Sequence, residues 1–299
     1  MQEAPVLRPL SVGDMIDRTI RLIRANIVLF IGIAVIPYLI VEIVLRVAGL
    51  SQTFDPNDLA QLLGPGATGT LPARRFQPAN PAAISAAVIV ATVVSMILYG
   101  SLTAAVGERY LGRSITIRQA FERGLRASVP LFFSLVVALI GFVVLFLVLA
   151  VALAVFSSSA LVALAVIVGF IAIVFVMPWA FLSIAVLGPI IVVEHLGPLA
   201  AIRRSFHLMD KARLRTLGLY ILVLIIASIL GLIFSVLFLV SFVTDPTVRA
   251  VLQTIASVAS STISAPLIYG ALVILYYDLR VRKEAFDLQL AAEALPREG

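Results

Sequence analysis

Apolar positions in this chain run together rather than alternate. Six stretches stand out: Ile27–Ala48, Ala83–Gly107, Val129–Val155, Ala160–Leu187, Leu217–Val243 and Ala250–Tyr277. At ~1.5 Å per helical residue each is long enough to cross the ~30 Å hydrocarbon core of a bilayer. Between Arg126 and Glu194 lie 67 residues without one Asp, Glu, Lys or Arg. A charge at mid-bilayer costs about 2.5–3.5 kcal/mol even on the mildest scale, so lipid accounts for such a run and a soluble core does not. The run is too long for one span and predicts two, joined at Ser157-Ser158-Ser159. Pro37 and Pro178 predict kinks, and Pro189 a distorted end to span four. Gly49–Ala82, dense in Pro and Gly, predicts an irregular loop with one helical turn at Asp58–Leu63. Thr244–Arg249, with Asp245-Pro246, predicts a tight turn.

A different pattern separates the spans. Ile16-Asp17-Arg18-Thr19-Ile20-Arg21, Phe121-Glu122-Arg123-Gly124-Leu125-Arg126 and Ile202-Arg203-Arg204-Ser205-Phe206-His207 each read apolar, charged, Arg, small, apolar, basic. In the first block, Val12, Met15, Ile16, Thr19, Ile20, Ile23 and Ile27 share one helical face. Asp14, Asp17, Arg18, Arg21 and Arg24 take the other, as in a helix lying in the membrane interface. Ser11 with Asp14, and Thr116 with Gln119, predict capping boxes. Pro198 suits the first turn of the third amphipathic helix, Pro198–Arg215. The predicted fold is all-α and integral to the membrane. It has six spans in three parallel repeats of amphipathic helix plus transmembrane hairpin, over 11–107, 116–187 and 198–277, followed by a charged tail, 278–299. The parallel sense allows a pseudo-threefold bundle about the membrane normal, with spans two, four and six innermost.

Composition narrows the class. The chain is 62% hydrophobic and 13% charged, against roughly 25% charged in soluble domains. A net charge of +6 and a pI near 10.1 could suggest nucleic acid, but the charge sits in short blocks beside spans. Eighteen of the 22 Lys and Arg fall in the blocks 1–26, 108–128, 194–216 and 278–299; the four others are Arg46, Arg74, Arg75 and Arg249. The positive-inside rule then places both termini in the cytoplasm. Only Lys211 and Lys283 are Lys, which hints at a high-GC bacterial source. No cysteine is present, so disulfides and thiol chemistry are excluded. The start has no short apolar stretch with a small-residue cleavage site, so no cleaved signal peptide is expected.

Few groups could carry catalysis. The two histidines, His195 and His207, lie in the third charged block without metal-ligand spacing, and no phosphate loop or nucleophile elbow is found. No catalytic residue, metal or cofactor is expected. Glu42 and Arg46 suit an exposed i,i+4 ion pair, or else a buried functional carboxylate. Arg18, Arg21, Arg123, Arg126, Arg203 and Arg204, with His207, form the candidate binding surface. Guanidinium groups bind phosphates in a bidentate manner, so this ring would hold anionic lipid or an acidic partner; plain interfacial anchoring is the alternative. Span six is the most polar, and its small residues suit close helix packing. Gln253, Ser257 and Ser261 on it could instead line a cavity.

Three motifs carry a resemblance. Arg8-Pro9-Leu10-Ser11-Val12-Gly13-Asp14, the segment Gly188–Pro198 running into Ala201–Ser205, and Tyr276–Leu288 resemble the bacterial glycerophosphoryl diester phosphodiesterase membrane domain. The resemblance spans nearly the whole chain and implies a multi-span protein of the bacterial inner membrane. The hydrolase fused to such domains is a soluble barrel with a His-Arg start and paired acidic metal ligands. This chain has no His-Arg dipeptide and no room for a barrel after span six, so hydrolase activity does not carry over. The expected function is non-catalytic binding of anionic lipid, or of a partner membrane protein, at the cytoplasmic face. A transporter or flippase of an amphiphile is the alternative, and a membrane-embedded enzyme the second alternative. Homo-oligomers are compatible with each; nucleic acid is not a partner.

Overall fold

The computed structural model describes residues 9–50, 80–155, 169, 175, 176, 178–240 and 245–289. Among these residues the protein is helical and has no strand. The helices are α1 (Val12–Ala25), α2 (Ile27–Val47), α3 (Pro81–Tyr110), α4 (Ile117–Val155), α5 (Leu187–Glu194), α6 (Pro198–Met209), α7 (Arg213–Val240) and α8 (Pro246–Glu284). Five helices, α2, α3, α4, α7 and α8, are long and apolar enough to cross a membrane. The chain is an all-α membrane protein. The expected fourth span, Ala160–Leu187, falls mostly outside the described residues, as do 51–79 of the predicted loop, with its Asp58–Leu63 turn, and the joint at Ser157-Ser158-Ser159. Its described end is helical over 178–183 and turns at 184–186 before α5. Pro189 has no N–H to donate to the Ala185 carbonyl, which accounts for the break there.

Local chemistry fixes the helix starts. Ser11 and Asp14 form the reciprocal capping box of α1: Asp14 N–H donates to Ser11 Oγ, and Ser11 N–H to Asp14 Oδ2. Thr116 and Gln119 do the same for α4, at 3.0 and 3.3 Å. Pro198 opens α6 after Gly197. Asp245 caps α8, accepting from Thr247 N–H at 2.7 Å, so Pro246–Arg249 is the first turn of a helix rather than the tight turn predicted.

Two other expectations change. The second amphipathic block is not a separate in-plane helix, because α4 runs unbroken from Ile117 through Pro130 into the span. The first and third blocks are separate, broken by Asn26 and by the turn at Asp210–Ala212, where Lys211 is left-handed (φ 57°). The apolar face of α1 also meets protein rather than lipid. Met15, Ile16 and Thr19 are buried, and α1 packs mainly on α8.

The core is organised around α8. Of its most apolar 18-residue stretch 61% is buried, against 11–22% for the other four spans. Every residue from Ala271 to Leu279 is buried. The three aligned small positions are buried and mark close crossings. A Cβ added at Gly270 of α8 would lie 3.0 Å from Thr19 Cγ2, and one at Gly124 of α4 would lie 2.5 Å from the Ile97 carbonyl and 2.1 Å from Ser101 Oγ in α3. Ser205 of α6 donates to the Ser183 carbonyl at 2.8 Å. These are small-residue contacts of the kind that let membrane helices approach closely. All seven tyrosines are buried or half-buried. Tyr99 and Tyr269 meet at a tilt, with ring centres 4.7 Å apart, and the Tyr99 hydroxyl reaches Gly188 so closely that any Cβ there would overlap it.

Candidate functional site

The charged ends of α1, α3, α5, α6 and α8 meet at one end of the bundle, together with the start of α4. Three polar assemblies form there.

The first surrounds Asp278, which the sequence reading placed in the tail. Its side chain is fully buried and accepts from Leu10 N–H at 2.7 Å, from Arg215 at 2.7 Å and from Arg282 at 3.0 Å. Both arginines also donate to the Leu10 carbonyl. Hydropathy ends span six at Tyr277, but α8 continues through Glu284. The acid therefore sits inside the packed region with both charges around it satisfied, as burial of a carboxylate requires.

The second surrounds Arg204. Its guanidinium lies between two carboxylates, donating to Glu194 at 2.9 and 3.1 Å and to Glu284 at 2.8 Å. The hydrogen bonds with Glu284, then those with Glu194, hold its pKa above the ordinary guanidinium value against a partial desolvation. Tyr276 donates to Glu194 at 2.8 Å, and Arg280 reaches both Glu284 and Tyr276. Lys283 donates to the His207 and Asp210 carbonyls, both at 2.9 Å, and so closes the C-terminus of α6.

The third is a cavity of about 480 Å³ between α3, α4 and the α5–α6 junction. Its ionisable lining is Glu108, Arg113, Arg123, Arg126 and His195. Local backbone geometry places two of these. Gly112 (φ 75°) ends α3 in a Schellman turn, with Gly112 N–H on the Arg109 carbonyl and Arg113 N–H on that of Glu108. That turn carries Arg113 to the cavity. His195 caps α5 in the left-handed conformation (φ 54°) and sits exposed at the junction. Arg123 pairs with Glu108. Arg113 and Arg126 are exposed and have no ion-pair partner among the described residues. Apolar wall comes from Ala127, Pro130, Ile191 and Leu196.

The seven residues expected to form one ring thus fall into different environments. Arg123 and Arg126 share the cavity. Arg18 instead donates to the Tyr110 hydroxyl at 3.3 Å, and Arg204 is taken up by its two glutamates. Arg21 pairs with Asp17 on the exposed face of α1. Arg203 and His207 are exposed on α6. The repeat alignment missed Arg113, Glu108 and His195, which lie outside the six-residue pattern; the helix-stop glycine, Gly112, was the available signal.

Span six behaves as packing surface. Ser257 donates to Glu42 Oε2 at 3.2 Å, joining α8 to α2. Glu42 also accepts from Arg46 at 2.8 Å, and this pair is mostly buried, with side chains 13% and 24% exposed. It is therefore not the exposed interfacial pair of the simpler expectation. Gln253 is buried and Ser261 half-buried. The groove beside them, about 370 Å³, is lined by the neighbouring face of α8, including Thr254, Val258 and Thr262, with Ile31, Val35 and Leu39 of α2. Gln253, Ser257 and Ser261 do not line it.

No curated protein and no solved structure matches the chain significantly. Residues 117–279, more than half of it, match a family described as a domain of unknown function, DUF7847. They include α4 through most of α8, with Arg123, Arg126 and His195 from the cavity. The chain belongs to the DUF7847 family.

Proposed function

We propose that this is a non-catalytic protein of a bacterial inner membrane that holds an anionic lipid at its cytoplasmic end. The observation that carries the reading is the cavity in which Arg113 and Arg126 face the same space without carboxylate partners among the described residues, beside the apolar surface of Ala127 and Pro130. Guanidinium groups next to an apolar wall suit a phosphate headgroup attached to acyl chains. Orientation rests on the positive-inside rule, which sets both termini in the cytoplasm with six spans.

The repeat reading is part of the proposal, and the small-residue crossings support it. Gly124 of the second repeat packs on Ser101 of the first, Ser205 of the third bonds to Ser183 of the second, and Thr19 of the first meets Gly270 of the third. Each amphipathic segment thus rests on the closing span of the repeat before it, and the last contact joins first and third. The juxtamembrane motifs shared with the glycerophosphoryl diester phosphodiesterase membrane domain enter as shared anatomy, without the hydrolase.

Native mass spectrometry of protein extracted with its own membrane tests the binding reading. Discrete retained phospholipid masses are expected, and Arg113→Gln with Arg126→Gln should remove them while Arg203→Gln leaves them. A second protein retained at fixed ratio, without lipid, would replace lipid by a partner.

A further inference from the structure

Charge arithmetic at the cavity specifies its ligand further. Glu108 takes up Arg123, leaving two positive charges, Arg113 and Arg126, on the same walls. A phosphate diester, the usual phospholipid linkage, brings one negative charge. A terminal phosphate monoester brings about 1.5 to 2 at neutral pH, with three acceptor oxygens. Two guanidinium groups bring one more positive charge than a diester balances, whereas a dianionic monoester matches both. His195 adds a donor at the α5–α6 junction. Among the described residues of the lining the one carboxylate, Glu108, is paired with Arg123.

Resting on the lipid-binding reading, we propose that the cavity selects a terminal phosphate monoester over a phosphate diester, with Arg113 and Arg126 as the selective pair. The apolar wall, Ala127, Pro130, Ile191 and Leu196, favours a lipid-borne monoester over free phosphate, because it offers area that only an attached chain covers.

The full-length protein in phosphatidylcholine nanodiscs decides this, with phosphatidic acid and phosphatidylglycerol of identical chains added in equal amounts. Retained lipid is read by native mass spectrometry. Phosphatidic acid should be preferred about tenfold, the effect of one more charge-assisted hydrogen bond. Arg126→Gln, on an exposed side chain, should bring the two lipids to parity without loss of folded protein. Equal retention by the wild type overturns the monoester preference and leaves anionic-lipid binding standing. No enrichment over phosphatidylcholine overturns both. An undiminished preference in Arg113→Gln and Arg126→Gln removes this cavity as the site. Displacement of phosphatidic acid by millimolar inorganic phosphate would assign the pocket to the free ion instead.

Discussion

Asp278 shows how one residue can be placed correctly in sequence and wrongly in space. Its charge marks the end of a hydropathic span, yet its carboxylate is fully buried and joins Leu10, Arg215 and Arg282. Removing one partner of a buried ion cluster leaves the others uncompensated, which typically costs about 3–5 kcal/mol. Asp278→Ala should lower thermal stability in detergent by that order. Arg21→Ala, whose pair with Asp17 is largely exposed, should change it by less than about 1 kcal/mol. Equal effects would show that the Asp278 cluster is not a structural centre. The same contrast explains why a ring of equivalent arginines does not form one surface. Sequence shows where an arginine lies on a helix, whereas its availability depends on which carboxylate a distant segment brings near. Glu284, 80 residues after Arg204, is such a group.

At the scale of elements, amphipathic period and caps were legible because they are local. Both capping boxes and the proline at the start of α6 follow from residues within four positions of one another. Helix continuity at Pro130 was not legible, since a proline kinks or ends a helix according to what supports the freed carbonyl. The small position of the six-residue pattern could be seen in the sequence, but its partner could not. Gly124 makes the α3–α4 crossing testable. A Cβ there meets the Ile97 carbonyl and Ser101 N, which are backbone atoms, whereas one at Gly141 of the same helix meets nothing within 4 Å. Gly124→Val should therefore destabilise the protein by about 1–3 kcal/mol or more. Gly141→Val should be close to neutral, with thermal unfolding of both variants as the measure. A neutral Gly124→Val would mean that α3 and α4 do not cross at this glycine.

For the whole molecule, composition alone identified a membrane protein, because no soluble core explains 67 uncharged residues. Small and polar residues pointed to spans two and six as inner ones; α8 is central, but the most apolar stretch of α3 is no more buried than that of α7. The tyrosine core was not legible: in a sequence, tyrosines near span ends read as interfacial anchors, and only packing puts them inside. Orientation can be measured directly, since the chain has no cysteine of its own. Cysteines introduced singly at Arg126 and Arg249 should react with a membrane-impermeant thiol reagent from opposite sides, Arg126→Cys only from the cytoplasm. Labelling of both from one side would refute the proposed topology.

The contacts between the two ends of the chain also bear on how the protein is made. Thr19 packs on Gly270, and Leu10 is held by Asp278, some 250 and 268 residues later. During synthesis at ~5–20 residues per second, α1 leaves the ribosome roughly 10–50 s before its partner exists. Until then its buried face, Met15, Ile16 and Thr19, lacks α8, its main packing partner. A chain that stops before Gly270 therefore leaves its first helix without the surface that clamps it.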